Sequence, residues 1–172
     1  MRGEALSEVR HEYVDGEVFA MAGSSRAHNA VSLNFASELR HHLWGKPCGV
    51  FMADVKARVL AHQQDTFYYP DVMVGCDERD THDLYLRFPK LIIEVLSEST
   101  ERMDRNEKFL RYMTIPTLEE YVLAEQKREA VTIFRRRKER GREDITDPDK
   151  IVHLESVGLT LPLSAFYVDV VR

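Results

Sequence analysis

Long apolar runs are missing from this sequence, and their absence argues against a membrane protein. The longest, such as Leu91-Ile92-Ile93, are strand-sized and fall far short of the roughly 20 residues that cross a bilayer. The first twelve residues contain three acids and no apolar segment, which is not the pattern of a secretory signal. We therefore expect a protein that has no membrane partner and stays in the cytoplasm.

Cysteine is scarce, since the chain contains only Cys48 and Cys76. The two lie far apart, and neither belongs to a CxxC or His-rich pattern, which argues against a disulfide framework and against a zinc site. We expect both thiols to be reduced, buried and chemically inert.

Motifs of several enzyme classes are also absent. The sequence has no Walker loop, no GxSxG elbow, no GxGxxG loop and no HExxH pair. These absences argue against nucleotide hydrolysis, serine hydrolysis and zinc proteolysis. Repeats, low-complexity tracts and Pro/Gly/Ser-rich linkers are missing as well, so we expect residues 1–172 to form a single domain.

The chain has fewer basic than acidic residues, and its formal net charge is −5. An acidic chain binds nucleic acid weakly unless its cations cluster, since phosphate affinity comes from grouped Lys and Arg. One such group precedes Gly141 and consists of Arg135, Arg136, Arg137, Lys138 and Arg140. It falls between two predicted strands, so we expect a long solvated loop that either binds DNA or serves solubility. If it binds DNA, changing its first three arginines to Ala should lower the affinity and flatten the salt dependence.

Hydrophobic periodicity predicts an α/β protein built on a mixed sheet. Asp15-Gly16 is a type I′ turn signal inside a short hairpin, and Ser24 or Ser25 can cap the helix that follows. We expect strands at Val50–Leu60, Phe67–Gly75, Lys90–Leu96, 121–123 and 131–134, and helices at Arg26–Trp44 and Asp104–Met113. The apolar tail around Phe166 is expected to pack over the core.

Two acids stand in apolar surroundings where a carboxylate is costly to bury. Asp71 follows Pro70 at the start of an apolar segment, and Glu94 interrupts another. Either acid alone could accept backbone N–H bonds or pair with an Arg. On neighbouring strands the two would suit Mg²⁺, which takes one or two carboxylates together with water and substrate phosphate. The pair therefore favours metal-assisted hydrolysis of a phosphodiester.

The segments around these acids resemble a known nuclease family. They are Tyr69-Pro70-Asp71-Val72, the run from Pro89 to Ser97, Asp104, Lys108, Tyr112 and Glu120-Tyr121, together with 12–16, His28 and Leu39. They are similar to the bacterial Uma2 family of restriction-endonuclease-like proteins, within the PD-(D/E)XK nuclease superfamily. The resemblance implies a restriction-endonuclease-like mixed sheet flanked by helices, with an additional N-terminal hairpin and additional C-terminal strands.

The same resemblance implies an activity and a cofactor. PD-(D/E)XK nucleases hydrolyse DNA phosphodiester bonds with Mg²⁺, and Mn²⁺ can take its place. Carried over to this sequence, Asp71 and Glu94 would be catalytic residues that hold the metal ion. DNA would then be the partner, and a homodimer would suit two cuts, one in each strand.

The sequence departs from the superfamily pattern at one catalytic position. A lysine normally stands two residues after the second acid, and this chain has Leu96 there. Lys108 on the following predicted helix is the best substitute, and we expect it at the border of that helix's buried stripe, within reach of the sheet. Lys56 is the rival, and a solvated Lys108 paired with Glu107 or Asp104 is the alternative. The spacing of Asp104 and Glu107 is typical of a capping box, which gives Asp104 a structural role.

Other residues are weaker candidates for the site. His28, at the start of the first predicted helix, could contact the substrate or the first acid, although a lone histidine is more often structural. A further carboxylate could come from Glu12, Glu17 or Asp54, and the sequence does not choose among them.

The sequence therefore supports two candidate functions. The first is a Mg²⁺-dependent DNA endonuclease with Lys108 as its basic residue. The second is a non-catalytic nuclease-like module that binds DNA or protein, which the missing lysine and the acidic net charge favour. Divalent-metal binding would separate the two, because a fold by itself does not establish an activity.

Overall fold

The protein is built mainly from β-strands, in a computed structural model that describes residues 9–21, 23–61, 64–136 and 141–170. The strands are β1 (His11–Val14), β2 (Glu17–Ala20), β3 (Gly49–Met52), β4 (Lys56–Ala61), β5 (Gln64–Tyr68), β6 (Val72–Gly75), β7 (Tyr85–Leu86), β8 (Pro89–Leu96), β9 (Glu120–Glu125), β10 (Val131–Arg135), β11 (Arg142–Ile145), β12 (Ile151–Leu154) and β13 (Leu159–Pro162). The helices are α1 (Arg26–His42), α2 (Glu101–Met103) and α3 (Phe109–Tyr112).

A six-stranded mixed sheet carries the candidate site. Its order is β11-β10-β9-β8-β6-β3. Strand β8 pairs in parallel with β9 and antiparallel with β6. A second sheet has the order β2-β1-β5-β4-β7, and β12 and β13 form a separate ribbon. The mixed α/β class that the sequence predicts is therefore confirmed.

Strand β8 places its residues alternately on the two faces of this sheet, as successive side chains of any strand do. Ile93 and Val95 belong to the core that includes α1 residues. Ile92 and Leu96 belong to a second core, on the other face, which includes Tyr112 of α3. Glu94 shares the face of Ile92 and Leu96 by the same alternation. The strand thus directs Glu94 towards α3.

Helix α1 begins where the sequence predicts. Ser25 is its N-cap, and its side-chain Oγ accepts a hydrogen bond from the His28 backbone N–H at 3.1 Å. The helix ends at His42, two residues before the predicted end at Trp44. Within the described ranges, no helix combines the length and the apolar character needed to span a bilayer.

The second helical segment begins three residues earlier than predicted. It starts at Glu101 in α2, passes through a π-helical turn at Asp104–Lys108, and continues as α3. Thr100 takes the N-cap position, so the predicted capping box of Asp104 and Glu107 is wrong. Acids three residues apart also share one face of a continuing helix, which is why their spacing did not fix the helix start.

Two strands that the sequence predicts as continuous are each divided between two sheets. The predicted strand Val50–Leu60 is β3 and β4, with Ala53 between them at a φ of 57°. The predicted strand Phe67–Gly75 is the end of β5 and all of β6. Pro70 lies in that break, and it has no N–H to donate to a strand ladder. Strands β3 and β6 belong to the six-stranded sheet, whereas β4 and β5 belong to the five-stranded one.

The N-terminal hairpin and the C-terminal strands are present as predicted. Asp15 and Gly16 join β1 to β2 with φ values of 52° and 93°, and a type I′ turn requires positive φ at both central residues. After β13, a 3₁₀ helix at Leu163–Tyr167 packs on α1. Phe166 stacks on Phe35 with ring centroids 4.1 Å apart. The tail therefore covers the α1 side of the core.

The two cysteines form a disulfide bond, which corrects the expectation of reduced and inert thiols. Strands β3 and β6 are antiparallel with Gly49 opposite Gly75. Cys48, directly before Gly49, therefore lies opposite Cys76, directly after Gly75. Their separation of 28 residues hides this proximity in the sequence. Strand pairing brings distant residues together, and a search for local cysteine motifs cannot detect that.

Candidate active site

The two predicted acids meet where β6 and β8 lie side by side. Asp71 directly precedes β6, and Glu94 lies within β8, its antiparallel neighbour. The Asp71 backbone N–H donates to Glu94 Oε2 at 3.3 Å. The Val95 backbone N–H donates to Asp71 Oδ2 at 2.7 Å. Asp71 and Glu94 are therefore in direct contact, as their placement on neighbouring strands predicts.

Lys108 reaches Glu94 from the helical segment that covers this face of the sheet. Its Nζ lies 3.2 Å from Glu12 Oε1, 3.3 Å from Glu94 Oε1 and 3.3 Å from Asp104 Oδ1. These four residues are called the Lys108 cluster below. The Lys108 side chain is only 6% exposed, so the expected position at the border of the buried stripe is wrong. The alternative is right about the pairing with Asp104 and wrong about the solvation. Three carboxylates thus surround one buried ammonium group.

Burial and charge set the ionisation of the Lys108 cluster. Burial works against the charge of Lys108, but the carboxylates of Glu94, Glu12 and Asp104 outweigh it and raise the pKa of Lys108 well above its usual value. Burial raises the pKa of Glu94 well above its usual range, although the Lys108 ammonium opposes this. Burial likewise raises the pKa of Asp104. Lys108 therefore stays charged, while Glu94 and Asp104 hold protons more readily than exposed acids do.

Glu94 is held by donors at both of its oxygens. The Tyr112 hydroxyl donates to Oε1 at 3.0 Å, beside Lys108, and the Asp71 N–H donates to Oε2. Burial raises the pKa of Tyr112 well above its usual value, so its hydroxyl keeps the proton that it donates. The carboxylate of Glu94 thus has a fixed orientation, as a metal ligand needs.

His28 contacts the first acid, which is one of the two contacts that the sequence allows for it. Its Nε2 lies 3.3 Å from Asp71 Oδ2, and its side chain is 12% exposed. Burial opposes the imidazolium form, but the hydrogen bond and the charge of Asp71 outweigh it and raise the pKa of His28. The contact with Ser25 fixes the backbone of this first turn. His28 therefore orients Asp71 from α1.

Two further acids complete the cluster: Glu12, a candidate from the sequence, and Asp104, to which the sequence assigned only a structural role. Glu12, in β1, is one of three carboxylates that the sequence left open, and it also accepts from the Tyr69 N–H at 3.3 Å. Asp104 is buried, and its Oδ1 receives no hydrogen bond from the part of the chain that the structure describes. The spacing of Asp104 and Lys108, four residues apart, was the signal in the sequence, because such residues share one helix face.

Three other candidates lie outside the Lys108 cluster. The Asp54 side chain is 86% exposed and pairs with Arg10 at 3.4 Å. Glu17 is exposed in β2. The expectation that Asp54 or Glu17 supplies the further carboxylate is therefore wrong. Lys56 is buried at the start of β4, with Nζ 4.7 Å from the centre of the Tyr69 ring, and it stays the rival to Lys108.

The predicted nucleic-acid loop is wrong for Arg135, one of the two arginines of the group that the structure describes. Arg135 lies in β10 with a side chain 8% exposed, and it donates to the carboxylates of Glu120 and Glu143 and to the carbonyl of His153. The guanidinium of Arg136 donates to three backbone carbonyls, those of Met113, Ile115 and Leu118. The Arg135 side chain is therefore held inside the fold and is not free to bind a phosphate. Arg136 also anchors the chain but is exposed, so its proposed phosphate contact stays a prediction. The remaining predicted residues, Arg137, Lys138 and Arg140, lie outside the described residues.

The donor set of the site fits a hard divalent cation. Asp71 is 23% exposed at its side chain and Glu94 only 4%, so a cation would approach from the Asp71 side. Among the described residues, no group of three or more His, Cys, Asp or Glu side chains is arranged to hold a metal. The chain would therefore supply two carboxylates, leaving water and substrate phosphate to complete the shell, which is typical of Mg²⁺ and fits Mn²⁺. Structural zinc, which takes four protein ligands, does not fit.

Similarity to known proteins covers almost the whole chain. Residues 4–164 match the Uma2 family, described as "Putative restriction endonuclease". The chain is 37% identical over 124 residues to the uncharacterised protein slr1290 of Synechocystis sp., a match that covers 72% of this chain and 64% of that relative. It is 33% identical over 129 residues to a second Synechocystis protein, sll1609, covering 73% of this chain and 72% of the relative. The match thus spans less than two thirds of the length of slr1290.

A solved structure shares the fold. It is a crystal structure of a "putative nuclease belonging to DUF820" from Anabaena variabilis, with a TM-score of 0.78 and 18% sequence identity, covering 94% of this chain and 91% of that one. At this identity the likeness establishes the nuclease-like fold and nothing finer. The family match over residues 4–164 identifies the family as well as the fold. It agrees with the contact between Asp71 and Glu94 in the candidate site. The chain therefore belongs to the Uma2 family of restriction-endonuclease-like proteins.

Proposed function

We propose that this chain is a Mg²⁺-dependent endonuclease that hydrolyses DNA phosphodiester bonds. One observation carries the proposal: Lys108, 14 residues after Glu94, brings its ammonium to 3.3 Å from that carboxylate, although Leu96 occupies the usual lysine position. The Glu94 carboxylate is thus in direct contact with one further acid, Asp71, and with one cation, Lys108. Membership of the Uma2 family supports a nuclease-like function.

Each residue of the site has a definite task in this proposal. Asp71 and Glu94 hold the ion, Mg²⁺ or Mn²⁺. When bound, the metal neutralises charge on the phosphate and lowers the pKa of an attacking water. His28 fixes the orientation of Asp71 through the 3.3 Å contact. Lys108 keeps a positive charge beside Glu94, and such preorganised charge stabilises the negative charge that develops on the phosphate during attack.

The second candidate is a non-catalytic nuclease-like module that binds DNA or protein. The observation in its favour is that three carboxylates surround Lys108, so much of the ammonium's charge is already neutralised within the protein. A plasmid cleavage assay separates the two candidates, because only an endonuclease converts supercoiled plasmid into its nicked and linear forms.

Replacing either proposed metal ligand should abolish cleavage. We expect Asp71→Asn and Glu94→Gln each to cut supercoiled plasmid at least about 10²-fold more slowly than wild type with Mg²⁺ or Mn²⁺, because each loses a charged ligand for the ion. Asp54→Asn is the matched control, since it removes the same charge from an exposed aspartate. Calorimetry should show divalent-metal binding by wild type and by Asp54→Asn only. A wild type that binds metal and DNA but cuts neither strand would leave the module as the function.

The contact between His28 and Asp71 should control metal affinity. We expect His28→Gln to raise the Mg²⁺ concentration for half-maximal cleavage by about 10- to 100-fold, the effect of removing a partner that orients a ligand. The rate at saturating Mg²⁺ should change less than this concentration does. His41→Gln changes an exposed histidine of the same helix and serves as control. An equal Mg²⁺ requirement in the two variants would contradict the role of His28.

Location and assembly are proposals of the same kind. We propose that the protein acts in the cytoplasm, and that two copies associate so that both DNA strands are cut. Disulfides persist mainly in oxidising compartments. Detection of the Cys48–Cys76 bond in protein from intact cells would therefore count against the cytoplasm.

A further inference from the structure

The exposed side of α1 and of the turn after it is free of carboxylates. Six exposed residues follow the helical repeat, namely Arg26, Asn29, Leu33, Ser37, Arg40 and Trp44, and His41 is exposed beside them. We call these six residues, together with the exposed Lys46, the α1 face. The face therefore carries no negative charge, although the chain has 29 acidic residues.

The α1 face is positively charged although the whole chain is acidic. Residues 26–46 contain three cations, Arg26, Arg40 and Lys46, and a single acid, Glu38. Glu38 is half-buried on the flank of the helix and is not part of the face. The segment thus carries a net charge of +2 in a chain of −5. The first turn has no acid to offset the positive end of the helix dipole.

The α1 face begins next to the candidate active site. His28, in the first turn, contacts Asp71 at 3.3 Å. A cavity of about 400 Å³ opens at the same end and is lined by Ser25, Arg26, Asn29 and Asp169, among others. The 17 residues of α1 extend about 25 Å at 1.5 Å per residue. This length corresponds to about seven base pairs of a duplex.

An aromatic platform marks the far end of the α1 face. Trp44 is 77% exposed, and the Arg40 guanidinium lies 5.5 Å from the centre of its ring. This cation–π contact holds Arg40 at the surface, where its outer edge remains accessible. A second shallow cavity lies here, lined by Arg40, Trp44, Lys46 and neighbours. Exposed guanidinium, ammonium and indole groups are typical of surfaces that contact nucleic acid.

We propose that the α1 face binds the phosphate backbone of duplex DNA on one side of the cleavage position, through Arg26, Arg40 and Lys46. The inference rests on the proposed function, because the continuity of this face with Asp71 is what makes DNA its partner. It replaces the surface that the sequence predicts around Arg135, whose guanidinium is held inside the fold. The carboxylate of Asp169 repels phosphate at the rim of the first cavity.

The single tryptophan of the chain provides a direct test. Trp44 is the only Trp, so its fluorescence reports on the far end of the α1 face alone. Duplex DNA of about 20 base pairs, added to the wild-type protein with metal chelated to prevent cleavage, should quench or shift this fluorescence with a saturable dependence. Unaltered fluorescence at DNA concentrations that saturate binding in an anisotropy assay would overturn the proposal.

Salt dependence tests the cations themselves. The triple variant Arg26→Gln/Arg40→Gln/Lys46→Gln should lower the slope of log affinity against log salt by about 2.7, because each lost phosphate contact removes about 0.9. Asp169→Asn should tighten binding, since it removes the acid at the rim. A slope within error of wild type, or tighter binding to duplex RNA than to duplex DNA, would overturn the proposal.

A matched control separates a local effect from loss of total charge. The variant Lys127→Gln/Arg128→Gln/Lys150→Gln removes three exposed cations outside α1, and it should bind DNA with the slope of wild type. If the α1 triple variant cuts plasmid and binds like wild type, the α1 face is overturned while the nuclease stands. If wild type binds through Arg26, Arg40 and Lys46 but never cuts, the α1 face stands and the nuclease activity falls.

Discussion

Lys108→Met should lower the free energy of unfolding by about 3–5 kcal/mol, the cost of removing one partner from a buried ion pair. The substitution leaves Glu12, Glu94 and Asp104 facing one another, and all three are buried. Methionine fills most of the lysine's volume, so the loss comes from charge rather than from a cavity. Urea unfolding followed by circular dichroism measures it. The sequence by itself suggests the opposite, because a lysine at the edge of a buried stripe contributes little to stability.

Two comparisons make the Lys108 result interpretable. Lys127→Met removes an exposed lysine that pairs with Glu98, and it should change stability by less than about 0.5 kcal/mol. The deficit of Lys108→Met should shrink as the pH falls from about 8 to about 5. The folded-state pKa of Glu94 lies above its unfolded value, so proton uptake favours the folded state as pH falls, and more so without the ammonium. A loss below about 1 kcal/mol at neutral pH would contradict the buried cluster.

Arg135→Met should lower the free energy of unfolding by about 3 kcal/mol without changing the salt dependence of DNA binding. Arg135 is the cation beside Glu120, whose side chain is only 2% exposed. Removing it leaves a buried carboxylate without its countercharge. Glu120 keeps its hydrogen bonds from Ser156, which is why we expect a value at the lower end of the range for such pairs.

The control for Arg135 is an arginine in a similar ion pair on the surface. Arg128 pairs with Glu125, and its side chain is 68% exposed, so Arg128→Met should stay within about 0.5 kcal/mol of wild type. DNA affinity is to be measured at a temperature where Arg135→Met is fully folded. A folded Arg135→Met protein with a reduced salt slope would restore Arg135 as a phosphate contact.

Local patterns in the sequence were sufficient for the elements that lie closest to the chemistry. The apolar run around Glu94 predicts a strand, and β8 is that strand. Ser24 or Ser25 predicts the start of α1, and Ser25 is the cap that accepts a hydrogen bond from the His28 N–H. These predictions succeed because propensity, capping and apolar periodicity act over a few residues, and no distant part of the chain overrides them here.

Predictions that depended on burial were less successful. The Lys108 side chain is 6% exposed, although its position relative to Phe109 and Tyr112 suggests a border site. Charge density suggests a solvated Arg135, yet it lies inside an ion cluster. Burial depends on which distant segments pack over a side chain, and a helical or strand repeat describes only the element itself. Glu12 of β1, 96 positions before Lys108, takes part in covering it.

The sequence by itself determined the strand and helix that carry the site, the two acids Asp71 and Glu94, and the resemblance that makes the chain a nuclease-like protein. Only the tertiary structure decided which cation stands beside Glu94, which further acids surround it, and that Cys48 meets Cys76. The physical reason is the range of the interactions. Secondary structure follows from neighbours in sequence, whereas the environment of a buried charge follows from strand register and packing between distant segments.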